Sequence, residues 1–212
     1  MEKKIEKLLE SFKERQFDAY YAEDESEAVR VVNSLILEQG EALSKSEKEI
    51  KIGWGGSVTL NELGIKKLCM EKYDAVDPYT TADPVEAKRQ ALLSDVFLMS
   101  ANAITEAGEL VNIDGNGNRL GALIHGPLRV IIVAGVNKIV KDKNEAIKRI
   151  KQITCPQNAR RLERKTPCAL EPSSCGDCKI AGNTMCSHTV VTRFNSIPNR
   201  IKIVIVNKNL GF

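Results

Sequence analysis

The chain has 212 residues, of which 42% are hydrophobic and 28% charged, and its formal net charge is +3. These values exclude an intrinsically disordered chain, and no apolar run approaches the roughly 20 residues that a membrane-spanning helix needs. The small net charge does not by itself indicate a nucleic-acid partner. The N-terminus is a charged amphipathic segment without the apolar core of a signal peptide, so we expect a cytoplasmic protein whose thiols stay reduced.

Taken in chain order, the sequence alternates helical and strand-like segments. Apolar periodicity and end signals predict helices over residues 3–15, 24–38, 58–63, 83–94, 119–125 and 143–153. Strands are predicted over residues 17–22, 50–53, 73–76, 95–99, 129–135 and 201–206, and a hairpin over 104–113. This alternation implies right-handed crossovers. We therefore predict one α/β domain over residues 1–212, with a mostly parallel sheet covered by helices on both faces.

Residues 100–119 are small and polar, although they lie between two segments that we expect to be buried strands. Turns also follow the predicted strands at Gly53 and Gly135. In open α/β sheets, ligands bind beyond the carboxyl ends of the strands, and glycine turns let backbone amides approach an anion. If the three turns lie side by side, they form a site for a small anionic or phosphorylated ligand. Its predicted lining is Gly53, Gly55, Gly56, Ser57, Ser100, Asn102, Asp114, Asn118, Arg119, Gly135, Asn137 and Lys138.

The first of these turns, Gly53 to Ser57, does not match a known nucleotide fingerprint. Its glycine spacing differs from the dinucleotide-binding motif, and it lacks the lysine of a phosphate loop. The chain thus has no NAD or flavin motif. A tight turn without any ligand is an equally open interpretation of these glycines, with Ser57 serving only as a helix N-cap.

Glu106 is the candidate catalytic residue because it directly follows the polar turn, where a carboxylate can serve as nucleophile or general base. The alternative is an ordinary surface carboxylate in the hairpin. Arg119 is suited to pair with a carboxylate or phosphate group of the ligand. The sequence leaves open whether the protein is an enzyme.

The segment 154–187 interrupts the alternation, and we interpret it as a cysteine-rich insertion outside the main core. Four of its cysteines are candidate metal ligands, since thiolates with a C-x2-C knuckle are typical of metal sites: Cys168, Cys175, Cys178 and Cys186. Zinc and an iron–sulfur cluster both fit four thiolates, and the spacing does not separate them. Cys155 or His188 could replace one ligand. Unligated thiols are the alternative, and a disulfide between Cys175 and Cys178 is a lesser one.

Lysine and arginine outnumber acidic residues between Lys138 and Lys165. We interpret this basic run as a solvated helix face. A regulator that binds nucleic acid is the weakest of the functional hypotheses, because no recognised reading motif accompanies the run.

Several motifs together resemble the LUD-domain family, which includes lactate utilization protein C, over roughly residues 1–210. The motifs are Gly53-Trp-Gly-Gly-Ser57, Ser100-Ala-Asn-Ala-Ile-Thr-Glu-Ala-Gly108, Asn112-Ile-Asp-Gly-Asn-Gly-Asn-Arg119, Val130-Ile-Ile-Val-Ala-Gly-Val-Asn-Lys138 and the cysteine cluster. The resemblance implies a fold like that of the sugar-phosphate isomerase and CoA-transferase group, whose members bind phosphorylated sugars, CoA esters or folates. It also implies iron–sulfur partner proteins in lactate oxidation.

Two functional hypotheses follow. The first is a protein of organic-acid (lactate-type) metabolism that binds a small anionic or phosphorylated ligand or a CoA-like cofactor at the carboxyl ends of the strands. The second is a redox, electron-transfer or regulatory accessory protein that binds iron–sulfur or zinc and has no catalysis of its own. A homo-oligomer is compatible with both, and neither requires a membrane.

Overall fold

A computed structural model describes residues 2–171, 174–176 and 178–212 of the chain. Its α-helices are α1 (Glu2–Glu14), α2 (Glu25–Ala42), α3 (Val58–Glu62), α4 (Ile65–Lys72), α5 (Pro84–Ala91), α6 (Asn118–His125), α7 (Lys143–Arg149), α8 (Cys155–Arg161) and α9 (Pro167–Leu170). Its strands are β1 (Asp18–Ala22), β2 (Lys51–Trp54), β3 (Asp74–Ala75), β4 (Val96–Met99), β5 (Ala103–Thr105), β6 (Leu110–Asp114), β7 (Arg129–Gly135), β8 (Ile139–Val140), β9 (His188–Thr192) and β10 (Ile201–Val206). Short 3-10 turns span Glu47–Glu49 and Val136–Lys138.

A six-stranded sheet with the order β1-β10-β7-β4-β2-β3 forms the centre of the fold. Every neighbouring pair in it is parallel. Its central strands are buried on both sides, since all seven residues of β7 and all six of β10 are buried. This burial explains the nearly continuous valine and isoleucine of these segments. The predicted mostly parallel α/β sheet is confirmed.

The two faces of this sheet carry separate hydrophobic clusters. Side chains alternate along each strand, so Val96 and Leu98 of β4 pack on one face with residues of α2, α3 and α4. Phe97 and Met99 pack on the other face with residues of α1 and α6. Helices therefore cover both faces, as predicted.

A second sheet of four strands, with the order β8-β5-β6-β9, extends from the polar segment. Strands β5 and β6 form the predicted hairpin, in which Gly108 has φ +77°. Strand β9 pairs antiparallel with β6. Strand β9 was not among the predicted strands, although the β-branched run from Thr189 to Thr192 is typical of a strand.

The helix predicted to end at Ile153 continues beyond that residue. A π-helical turn over Ile150–Thr154 joins α7 to α8, and Pro156 lies in the first turn of α8. Proline has no amide proton to donate and its ring crowds the carbonyl of the preceding turn, so a wider turn lets the chain pass it. The predicted stop is therefore wrong. No helix in the described ranges is long and apolar enough to cross a membrane.

Candidate functional site at the strand ends

The sheet order brings the three predicted turns together. Strand β4 lies between β2 and β7, and all three run in the same direction. The turns at Gly53, Ser100 and Gly135 therefore leave the same edge of the sheet from neighbouring strands. The chain passes from β2 to β3 on one side and from β4 to β7 on the other. Neighbouring strands whose connections diverge in this way mark the place where open α/β sheets bind ligands.

Lys138 lies at the centre of this edge and is only 4% exposed. Its Nζ donates hydrogen bonds to Ser100 Oγ at 2.9 Å and to Thr59 Oγ1 at 3.1 Å. Within the described residues, no carboxylate forms an ion pair with it. Burial, followed by the charges of Arg149 and Arg119, lowers the pKa of Lys138 to about 7, although the charge of Glu62 opposes the shift. The amine is therefore a weakly compensated buried cation.

Arg119 joins the polar stretch to this centre. Its guanidinium donates to the backbone oxygen of Ser100 at 3.3 Å and to that of Ile113 at 2.8 Å. Its Nε lies 3.5 Å from a carboxylate oxygen of Asp114. Asn102 Oδ1 accepts from the amide of Ile113 at 2.9 Å and lies 3.5 Å from Arg119 Nη2. The Ser100–Arg119 stretch thus folds back on itself through its own polar side chains.

Arg149 is a second buried cation near Lys138, and burial lowers its pKa. It donates to the backbone oxygens of Asn102 at 2.8 Å and Asn137 at 3.1 Å. Lys138 and Arg149 both belong to the basic run that we interpreted as a solvated helix face. That interpretation is wrong for these two residues.

Close packing explains several of the predicted ligand-binding glycines. A Cβ atom at Gly53 would lie 2.7 Å from the backbone oxygen of Ala91, and one at Gly135 would lie 2.7 Å from the amide nitrogen of Leu210. At Gly55 it would overlap the side chain of Arg119. The glycines let neighbouring segments approach the strand ends. The helix after this turn is α3, whose five residues begin at Val58, directly after the predicted N-cap Ser57.

The remaining predicted residues border the same edge. Asn137 holds the segment after β10, because its Oδ1 accepts from the amide of Leu210 at 3.1 Å. Asn118 and Gly56 are partly exposed. Glu106 lies elsewhere, at the tip of the β5–β6 hairpin. Its carboxylate is 3.8 Å from Lys4 of α1, and its side chain is 53% exposed. In the part of the chain that the structure describes, no hydrogen bond or ion pair joins Glu106 to Lys138 or Ser100.

A family model of the LUD domain matches residues 5–206, nearly the whole chain. The chain belongs to the LUD-domain family. It is similar in structure to a DUF162 family protein from Deinococcus radiodurans, with 10% sequence identity, a TM-score of 0.50 and coverage of 96% of each chain. At this identity the likeness shows the fold alone. A partial match to eIF2B delta from Chaetomium thermophilum has 14% identity, covers 53% of this chain and 50% of that chain, and its TM-score of 0.29 carries no argument. A comparison with curated proteins finds no match.

The LUD domain of this chain also brings its late cysteines together. Five thiols line one small cavity beside the second sheet, at Cys155, Cys168, Cys175, Cys178 and Cys186. Cys155 begins α8 and packs with Ile150 and Val111, so this part of the predicted insertion is in contact with the second sheet. Pro172, Ser173 and Asp177 of the insertion lie outside the described residues.

One pair of these thiols is in direct contact, since Cys155 Sγ lies 3.3 Å from Cys186 Sγ. Their hydrogen bond lowers the pKa of Cys186 to about 7 and raises that of Cys155. Burial, followed by the charges of Cys168 and Cys186, raises the pKa of Cys175. Over residues 2–171, 174–176 and 178–212, no three His, Cys, Asp or Glu side chains are placed so that they could share a metal ion.

Sequence reasoning did not place Thr59 and Arg149 in the site of this LUD-domain protein. Thr59 follows Ser57 in the first turn and could have been considered, since a hydroxyl two residues after a helix cap remains near the strand end. Arg149 carries no comparable signal. It lies 11 positions after Lys138, and only the packing of α7 brings it to the sheet edge.

Proposed function

We propose that this LUD-domain protein binds a small anionic ligand at the carboxyl edge of the central sheet, between β2, β4 and β7. The observation that carries the proposal is the environment of Lys138, a buried amine whose partners are two hydroxyl groups. A buried charge is costly unless an opposite charge compensates it. An anion beside Lys138 would supply that compensation.

Lys202 provides a comparison within the same molecule. It is also 4% exposed, but its Nζ lies 3.0 Å from Asp18 and 3.7 Å from Glu38. This protein thus pairs one buried lysine with two carboxylates and leaves the other with neutral oxygens. The difference supports a ligand role for Lys138, since a purely structural lysine is expected to resemble Lys202.

The surrounding charges favour an anion as well. Besides burial, the charges of Arg149 and Arg119 both lower the pKa of Lys138. The nearby acidic residues are Glu62 and Asp114, of which Asp114 pairs with Arg119. Glu62 already accepts the amide of Gly211 at 2.7 Å. Cations therefore outnumber acids around the strand ends. A carboxylate or phosphate is the matching ligand group, and the family resemblance favours a lactate-type organic acid, a phosphorylated metabolite or a CoA-like compound.

The proposal is tested by thermal unfolding of the purified protein with pyruvate, lactate, inorganic phosphate, glucose 6-phosphate, folate and acetyl-CoA. A ligand at 100 times its dissociation constant adds about 2.7 kcal/mol, which corresponds to a rise of roughly 5–10 °C for a chain of this size. We expect at least one compound to raise the unfolding temperature. The rise should disappear in Lys138→Met and persist in the matched control Lys202→Met. No rise with any compound, or an equal rise in Lys138→Met, would refute the proposal.

A second candidate function concerns the cysteines. The favouring observation is that five thiols line one cavity. The thiol donors suit zinc or an iron–sulfur cluster. Zinc would cross-link the segment structurally, whereas an iron–sulfur cluster would supply one-electron chemistry. As they stand, the thiols of the described residues would have to move closer together to share a metal. Cys168, Cys175, Cys178 and Cys186 are the proposed ligands, with Cys155 in contact with the last of them.

Anaerobic purification followed by metal analysis and a visible spectrum tests this second function. A stoichiometric metal should be present in the wild type and absent from Cys168→Ser/Cys175→Ser. The control Cys69→Ser should retain the metal, because Cys69 is buried in the core cluster that contains α2 and α4. Metal-free wild-type protein after anaerobic purification would exclude this function.

A further inference from the structure

The hydroxyl of Ser100 and the amine of Lys138 form a pair that ligand binding alone does not require. Ser100 follows β4, and its Oγ lies 2.9 Å from Lys138 Nζ. We propose that Ser100 is a nucleophile and Lys138 its general base, and that the protein cleaves esters or thioesters of small organic acids. This inference rests on the proposed anion site: the carboxylate of the acid product would lie beside Lys138, and in the substrate the uncharged ester or thioester group takes that place, so the amine stays neutral until it accepts the Ser100 proton.

A third group orients the base. Thr59 Oγ1 accepts a hydrogen bond from Lys138 Nζ at 3.1 Å, and Thr59 itself lies 3.4 Å from the backbone oxygen of Leu210. The three groups come from separate segments: Ser100 follows β4, Lys138 follows β7, and Thr59 lies in α3. A nucleophile, a base within hydrogen-bond reach and an orienting group are the arrangement by which serine is activated in unrelated hydrolases.

The environment of Lys138 suits a base that works near neutral pH. A lysine abstracts a proton only in its neutral form, which an exposed lysine rarely adopts at pH 7. Burial and the charges of Arg149 and Arg119 lower the pKa of this lysine to about 7. The same two arginines would favour the negative charge that develops on the substrate carbonyl oxygen during attack.

The reaction needs water as its only other reactant. Ser100 Oγ attacks the carbonyl carbon, and the hydroxyl proton passes to Lys138 Nζ. The bond from carbonyl carbon to the leaving oxygen or sulfur then breaks, and the leaving group takes the proton from Lys138. Water next attacks the acyl-serine and gives a proton to Lys138, which returns it to Ser100 Oγ as the acid departs. No oxidant or reductant takes part.

The chain contains a matched serine that should not react. Ser94 precedes β4, at the opposite end of the same strand, and is buried to a similar degree, with 8% exposed against 6% for Ser100. Its hydroxyl donates to the backbone oxygens of Ala91 at 2.8 Å and Val96 at 3.0 Å. A buried serine bonded only to carbonyl oxygens has no base. Comparing the reactivity of Ser94 and Ser100 therefore separates the effect of Lys138 on a serine hydroxyl from the effect of burial.

The test is labelling with a small alkyl fluorophosphonate, with peptide mass spectrometry to locate the adduct, together with hydrolysis of p-nitrophenyl acetate. We expect the adduct on Ser100 and its loss in Ser100→Ala. Lys138→Met should slow labelling on the order of 100-fold, the range that general-base catalysis supplies. Ser94→Ala and Lys202→Met should label like the wild type, after circular dichroism has confirmed that each variant is folded.

The pH profile provides a second readout. The labelling rate of the wild type should rise with pH to a plateau, with its midpoint near the pKa of Lys138, and this dependence should vanish in Lys138→Met. The inference is overturned if Ser100 carries no adduct, or if Lys138→Met labels at the wild-type rate. A wild type that binds an anion in the thermal screen but does not label would refute the catalytic pair and leave the anion site standing.

Discussion

Two buried lysines of this LUD domain differ in whether an acidic side chain compensates their charge. Lys138 and Lys202 are equally buried, yet one contacts two hydroxyl groups and the other two carboxylates. The sequence shows both as lysines at the end of, or within, valine- and isoleucine-rich strands. It cannot show which of them meets an acid, because Asp18 is 184 positions from Lys202. The partners of a buried charge depend on tertiary packing.

Lys138 should cost stability in the absence of a ligand. Its pKa of about 7 in the folded protein lies below the ordinary value of 10.5, so the unfolded chain holds its proton more tightly. The cost is complete below pH 7, on the order of 5 kcal/mol, and is lost as the pH rises towards 10.5. We expect Lys138→Met to be more stable than the wild type, by an amount that is largest at pH 6 and decreases above pH 7.

Urea unfolding of both proteins between pH 6 and pH 9.5 measures this difference. Lys202→Met is the control and should lose stability, because it removes the cation that pairs with Asp18 at 3.0 Å, whereas Glu38 retains its ion pair with Arg129. A Lys138→Met variant that is less stable than the wild type at pH 6 would contradict the description of Lys138 as a poorly compensated cation.

At the scale of elements, the sequence predicts the strands and helices of the central sheet better than their arrangement. Strand β7 is recognisable because it is apolar from Val130 to Ala134, and it lies at its predicted bounds, Arg129–Gly135. The neighbours of β7 are β4 and β10, and no local pattern identifies them. The strand ends converge only because β4 inserts between β2 and β7. The second sheet was recognised as a hairpin alone, since its edge strand β9 comes 74 residues after β6.

Two glycines with positive φ, Gly108 at the hairpin tip and Gly64 before α4, differ in how closely other segments approach them. Gly108 and Gly64 both have positive φ, at +77° and +66°. A Cβ at Gly108 would lie 3.0 Å from the backbone of Ser11 in α1, whereas a Cβ at Gly64 would meet nothing within 4 Å. We expect Gly64→Ala to cost about 1 kcal/mol for the backbone conformation alone, and Gly108→Ala to cost roughly 2–3 kcal/mol. Chemical denaturation compares the two. Equal losses would mean that α1 does not pack against the hairpin as described.

At the scale of the whole molecule, the two candidate sites lie in different parts of the fold. Oxygen and nitrogen groups gather at the carboxyl edge of the central sheet, and thiols gather beside the second sheet. Motifs distributed over nearly the whole chain resembled the LUD-domain family, and the match over residues 5–206 confirms that membership. The cysteine spacing could not reveal that Cys155, 31 residues before Cys186, lies 3.3 Å from it. Cys155 directly follows the π-helical turn that joins α7 to α8.

The most direct test of the anion site is calorimetric titration with the best ligand from the thermal screen, in two buffers of different ionisation enthalpy at pH 6 and pH 8. An anion beside Lys138 raises the pKa of that amine above 7, so binding must take up protons where the free amine is largely neutral. We expect close to one proton to be taken up per ligand at pH 8 and almost none at pH 6, with no uptake in Lys138→Met. Binding without proton uptake at pH 8, or with the same uptake in Lys138→Met, would contradict it.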